Sequence, residues 1–104
     1  MKVEVGSQPG TDNSQGPSSF ALEQNWPNPF NPTTTINFQI PASSNVCLKV
    51  YDVIGREVAT LVDDVRPAGA YSVTFDGSGL ASGTYVYRIQ AGSSVATKKL
   101  VLVR

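Results

Sequence analysis

Few side chains in this 104-residue chain could do chemistry, and the residue types it lacks narrow the field further. It contains no histidine, which removes the commonest general base, metal ligand and triad partner, and with it most hydrolase designs. Asp63 and Asp64 adjoin, but we expect them in a turn, where consecutive side chains diverge instead of converging as a glycosidase pair must. Asp76-Gly77-Ser78-Gly79 brings too few oxygens for a calcium loop, and the glycine segments lack the following helix on which a phosphate would sit. Cys47 stands alone between Val46 and Leu48, so it makes no intrachain disulfide and reads as a small, half-buried strand residue. Tyr51, Tyr71, Tyr85 and Tyr87 could stack on sugars or bases, but at strand spacing core and cross-strand packing is the favoured reading. These residues predict a domain with no catalytic, metal or cofactor site.

Charge sharpens this. Eight basic and eight acidic residues cancel, so the chain has no field to concentrate nucleic acid or an anionic bilayer, and neither is expected as a partner. No apolar run is long enough to insert directly into a membrane. The charges are nevertheless uneven: Asp52, Glu57, Asp63 and Asp64 outnumber Arg56 in mid-chain, while Lys98, Lys99 and Arg104 close it without an acid. Lysines on a terminal strand protect a sheet edge; the competing reading is a basic recognition strand that docks by strand addition.

The elements that must position these residues follow from periodicity. Residues 1–19, rich in Gly, Ser, Pro and Gln and poor in large apolar side chains, are expected as a flexible linker or an added leader. Residues 20–104 are the domain. Trp26-Pro27-Asn28-Pro29-Phe30-Asn31-Pro32 can be neither helix nor central strand, and we expect it to hold Trp26 and Phe30 against one end of the fold. Alternation then predicts strands with Ile36, Phe38 and Ile40, with Val46, Leu48 and Val50, with Tyr71, Val73 and Phe75, and with Tyr85, Tyr87 and Ile89 facing inward. Residues 56–63 are ambiguous, because Val58, Leu61 and Val62 sit at helical spacing; their β-branched content favours a strand with a bulge. Asp64 to Gly69 reads as a turn, Gly55 as a positive-φ turn residue and Gly92-Ser93 as a two-residue hairpin. The last strand is apolar on both faces, Leu100 and Leu102 competing with Val101 and Val103 for the core. Six to seven short strands without a helical period predict an all-β, antiparallel immunoglobulin-like β-sandwich.

Several separated motifs carry a resemblance. Leu22 to Ile36, with its Trp26-Pro27-Asn28-Pro29-Phe30 centre, Val50-Tyr51-Asp52-Val53-Ile54-Gly55-Arg56-Glu57-Val58, Pro67-Ala68-Gly69, Phe75-Asp76, Ser82-Gly83-Thr84-Tyr85-Val86-Tyr87-Arg88 and Lys98-Lys99-Leu100-Val101 follow in order the pattern of C-terminal sorting domains, type A, carried by cargo of the type IX (Por) secretion system. The resemblance spans about Phe20 to Arg104. It implies a non-catalytic signal domain behind an upstream cargo domain in Bacteroidota-type bacteria. That domain would direct export through the periplasm and across the outer membrane to the cell surface or beyond. Its implied partners are the type IX translocon and a sortase-like peptidase, which removes the domain as the cargo is attached to the surface. By resemblance, Pro27, Asn28 and Pro29 belong to the first motif, Gly55 to the second, Gly83 and Tyr85 to the central one, and Lys98, Lys99, Leu100 and Val101 to the last. Trp26 stands where tyrosine is frequent.

Two other classes remain open at this point. Gly55 to Val58 with Tyr85 to Tyr87 also resembles the immunoglobulin-like domain of flagellar hook-capping proteins, a structural module, and an appended carbohydrate-binding module is the third. The sorting reading makes Trp26 and Phe30 matter for stability and Lys98 and Lys99 for export, with a cleavage position expected between Gly16 and Phe20.

Overall fold

The computed structural model describes residues 19–104. The linker expected over 1–19, except its last residue, and most of the expected cleavage region therefore lie outside the described residues. The rest is all-β, with seven strands: β1 (Ala21–Leu22), β2 (Thr33–Ile40), β3 (Ser44–Tyr51), β4 (Glu57–Arg66), β5 (Gly69–Asp76), β6 (Gly83–Ala91) and β7 (Ser94–Leu102). They form a three-stranded sheet in the order β1-β2-β5 and a four-stranded sheet in the order β4-β3-β6-β7, and every pairing is antiparallel. The immunoglobulin-like sandwich is thus present.

The inward faces are the ones that alternation selects. Ile36, Phe38 and Ile40 meet Val46, Leu48, Val50, Tyr87 and Ile89 in one buried cluster. At one end of it Phe30 and Phe75 pack as a tilted pair with ring centroids 5.9 Å apart. On β7 the ambiguity resolves by register: Tyr85 opposes Leu100 and Gly83 opposes Leu102, so Leu100 and Leu102 are buried while Val103 is exposed.

The irregular spacing on β4 has a local cause. Val62 pairs with Leu48 and Thr60 with Lys49, leaving Leu61 unmatched; Ala59 pairs with Val50 and Glu57 with Tyr51, leaving Val58 unmatched. Two bulges each insert one residue, and this gives Val58, Leu61 and Val62 their helix-like intervals. The expected turn from Asp64 to Gly69 is shorter than anticipated. β4 continues to Arg66, so Asp63 and Asp64 are strand residues opposite Cys47 and Val46, and only Pro67 and Ala68 separate β4 from β5. Arg66 favours the longer strand by pairing with Asp64 Oδ1 at 2.8 Å and lying 5.1 Å above the Tyr71 ring.

Trp26 also departs from expectation. Phe30 is buried as anticipated, but Trp26 is 76% exposed. Leu22 pairs with Phe38 and Trp26 with Thr35, so three residues on one chain stand against two on the other. This bulge reverses the parity: Asn25 turns into the core and Trp26 faces water.

The registers define two ends. Phe20, the β2–β3 loop, the β4–β5 turn and the Gly92-Ser93 hairpin share the end where the preceding chain enters. The proline segment, the β3–β4 turn, the Gly77–Ser82 loop and Arg104 share the opposite end, called here the distal end.

Candidate functional site

Most of the residues singled out in the sequence converge at the distal end because the proline segment is laid along β7. The Asn28 side-chain oxygen accepts the Val101 N–H at 2.9 Å, Phe30 N–H donates to the Val101 carbonyl at 2.9 Å, and Val103 N–H donates to the Phe30 carbonyl at 3.0 Å. Gln24 Nε2 donates to the Lys99 carbonyl at 2.7 Å. Leu102 and Phe30 thereby form a parallel bridge. An edge strand otherwise offers unpaired backbone groups to another chain; here the outward groups from the Lys99 carbonyl to Val103 are taken by the chain's own segment. Strand addition along that stretch would require displacing it.

A buried polar network anchors the same segment to β6. Asn25 N–H donates to Tyr87 Oη at 2.8 Å, and Tyr87 Oη donates to the Glu23 carbonyl at 2.7 Å. The Asn25 amide nitrogen donates to Thr34 Oγ1 at 2.9 Å and to the Pro27 carbonyl at 3.1 Å, while Thr34 Oγ1 donates to the same carbonyl at 2.8 Å. Asn25 and Thr34 are both buried, and their side-chain polar groups are matched, the Asn25 oxygen accepting from Gln24 Nε2 at 2.6 Å. Burial pushes the Tyr87 hydroxyl above the ordinary tyrosine value. The Trp26-Pro27, Asn28-Pro29 and Asn31-Pro32 bonds are cis.

The motif residues divide by exposure. Tyr85 and Leu100 are buried partners across β6 and β7, and Tyr85 Oη holds the Ala81 carbonyl at 2.6 Å. They build the site without presenting a surface. Pro27, Pro29, Gly83 and Lys99 are exposed, with Asn28 and Val101 half-buried between them. Lys98 does not join this group. It lies opposite Tyr87 on the core-facing side of β7 and is half-buried, whereas Lys99 opposes Val86 on the outer side. The two lysines thus point to opposite faces and cannot grip one ligand together.

Gly55 belongs to a separate part of the distal end, the turn between β3 and β4. Its φ of 90° suits glycine, and Asp52 organises the rest. Asp52 Oδ1 accepts the N–H groups of Arg56 at 2.9 Å and Ile54 at 3.1 Å, and Oδ2 accepts Arg56 Nε at 2.8 Å. The Arg56 backbone N–H, followed by its side chain and the Ile54 N–H, holds the Asp52 carboxyl below the ordinary carboxylate range. On this ordered turn Val53 is 73% and Ile54 71% exposed. Exposed neighbouring aliphatics on a rigid turn suit docking better than folding.

Sequence reasoning missed three features. The Asn25–Thr34–Tyr87 network shows in sequence only as polar residues beside an apolar strand. Nothing local distinguishes Gly77, yet a Cβ there would stand 3.2 Å from Leu102 Cδ2 and 3.3 Å from Phe30 Cε2. Val53 and Ile54 read as ordinary apolar residues until the turn exposes them. Among the described residues no cavity forms and no three His, Cys, Asp or Glu side chains gather. What the distal end offers is a shaped surface.

Comparison with known proteins places these motifs in one pattern. The model of the secretion system C-terminal sorting domain matches residues 24–103. Among solved structures, PorZ, described as an essential bacterial surface component of the type-IX secretion system of Porphyromonas gingivalis, superposes with a TM-score of 0.53 at 17% identity. The match covers 82% of this chain and 11% of PorZ, so it supports the fold, and the chain corresponds to a small part of that protein. No curated protein matches the sequence.

Proposed function

The chain belongs to the family of secretion system C-terminal sorting domains, and on that premise we propose that its folded distal end is the signal read during type IX export. Domains of this family are in general not catalytic; the role is recognition of an attached cargo. The machinery contacts Pro27, Pro29, Lys99 and the turn around Gly55 as one surface, while Asn28, Gly83, Tyr85, Leu100 and Val101 shape it from beneath. Lys98 contributes to the other face of β7. The cargo precedes the domain, passes through the periplasm and reaches the cell surface or the medium, and a sortase-like peptidase cuts upstream of Phe20 as the cargo is attached.

The observation that carries this reading is the bonding of the first motif to the last. Asn28 and Phe30 are hydrogen-bonded to Val101 and Val103, so neither motif exists as a free linear tag. Recognition then depends on the fold. Removing Lys98 to Arg104 would also remove Leu100 and Leu102 from the core, so a tail deletion tests folding together with signalling. Point changes on the surface separate the two.

The test fuses residues 20–104 to a periplasmic reporter in a host with a working type IX system and measures surface delivery. Lys99→Glu and the double change Val53→Asp with Ile54→Asp should each lower delivery at least several-fold while the purified domains melt like the parent. Unchanged delivery in both variants would refute the assignment of the recognition surface.

A further inference from the structure

The outer face of the β1-β2-β5 sheet is unlike the rest of the surface. Its outward positions on β2 are Thr33, Thr35, Asn37 and Gln39, and those on β5 are Ala70, Ser72, Thr74 and Asp76. The register puts Thr35 beside Thr74, Asn37 beside Ser72 and Thr33 beside Asp76, and Ser72 Oγ donates to Asn37 Oδ1 at 2.5 Å. All but Gln39 are short side chains, and most carry a hydroxyl or amide. At the edge of this face stands Trp26, opposite Thr35 and in one row with Thr35 and Thr74.

Trp26 is held firmly. Its N–H donates to the Thr35 carbonyl at 3.0 Å, its carbonyl accepts the Thr35 N–H at 2.9 Å, and Pro27 follows. An indole ring 76% in water on a backbone fixed this way incurs little ordering cost when a ligand covers it. The bulge before it turns the ring outward, where it contributes nothing to the core and stands open to a ligand. β2 and β5 put no Lys or Arg on this face; its charged members are Glu23 and Asp76, both carboxylates, and Arg104 borders it beside Asp76 at the distal end. An anionic ligand is disfavoured, and a lone aromatic among hydroxyls and amides lacks the surrounding apolar rim of a protein hot spot.

We propose that this face binds a neutral, extended β-1,4-linked polysaccharide, one sugar ring stacking on Trp26 and neighbouring hydroxyls bonding to Thr35, Thr74, Asn37 and Ser72. Such chains are extended, which suits an open strip of side chains better than a pocket. Strands about 4.8 Å apart and same-face residues about 6.8 Å apart give a strip long enough for roughly three to four sugar units. The site lies on the other sheet from Lys99 and the Gly55 turn and meets the proposed export surface only where Trp26 joins Pro27, so Lys99→Glu should leave sugar binding unchanged. It would let the domain hold its cargo to a glycan.

Trp26 is the single tryptophan of the chain, so its fluorescence reports on this site alone. The full chain is titrated with cellohexaose and with xylohexaose, and α-linked maltohexaose serves as the control. The expected result is a saturable blue shift with at least one β-1,4 hexasaccharide and little response to maltohexaose. Amide shifts in NMR spectra should be confined to β2, β5 and Trp26. Trp26→Ala should weaken that binding roughly tenfold or more in NMR titration, with unchanged melting, and Thr35→Val with Thr74→Val should weaken it several-fold. No saturable response to either β-1,4 sugar up to about 10 mM overturns the proposal. So does an equal response to maltohexaose, or a fluorescence shift that follows protein concentration without sugar, which would mark a contact between copies.

Discussion

Tyr87→Phe isolates the buried polar network from everything else that holds the proline segment. The substitution keeps the ring in the core, where Tyr87 is fully buried, and removes only the hydroxyl. That hydroxyl accepts the Asn25 N–H and donates to the Glu23 carbonyl, and the two losses differ in cost. The bond to the Glu23 carbonyl is only part-buried, whereas the bond from Asn25 is buried and its N–H is left without a partner. Two hydrogen bonds at about 0.5–1.5 kcal/mol each, one loss aggravated by a buried unsatisfied donor at about 1–3 kcal/mol, give a destabilisation of about 2–3 kcal/mol. For a domain of this size that is a fall in melting temperature of roughly 10 °C or more. Urea unfolding should show a lower midpoint at an unchanged slope. Hydrogen exchange should show the loss concentrated at Asn25 and Trp26, the residues nearest the missing hydroxyl. The pH dependence supplies a second reading. Because burial raises the Tyr87 value, its contribution is fully present below about pH 10 and is lost as pH rises through the folded value. Tyr87→Phe should remove that part of the alkaline loss. A destabilisation under about 0.5 kcal/mol with intact exchange at Asn25 would refute the assignment of the network as the anchor.

Other perturbations separate the parts of the distal end. Phe30→Ala should cost about 3–5 kcal/mol in urea unfolding, whereas Trp26→Ala should stay within about 0.5 kcal/mol, because the first ring is buried and the second is in water. Equal losses would mean that the Trp26 ring packs on the fold. Gly77→Ala should cost about 1–3 kcal/mol by pressing its Cβ on Leu102 and Phe30, and a melting curve matching the parent would show that these side chains yield freely. Asp52, whose carboxyl is held below its usual range, stabilises the β3–β4 turn above that range and loses the effect as pH falls through its folded value. Amide shifts of Ile54 and Arg56 should therefore titrate together at acid pH, and Asp52→Asn should abolish the shared transition.

What the sequence determined by itself is what depends on neighbours along the chain. Period-two alternation placed Ile36, Phe38 and Ile40, Val46, Leu48 and Val50, and Tyr85, Tyr87 and Ile89 inward, because successive strand side chains point to opposite faces whatever the partner. Gly55 and Gly92 marked their turns because positive φ is a local demand, and the ordered motifs from Trp26 to Val101 identified the family. Tertiary structure decided the rest. One extra residue between Leu22 and Trp26 reversed which side chain is buried, and that bulge exists only in register with β2. The doubly apolar end of β7 could not choose a face until β6 set the register, and its edge could not be known as closed until Asn28 and Phe30, some seventy residues earlier, were found bonded to it. Where a bulge or a doubly apolar strand leaves alternation without a unique answer, exposure is decided by the pairing of segments distant in sequence, because a one-residue slip in register sends every side chain to the other face.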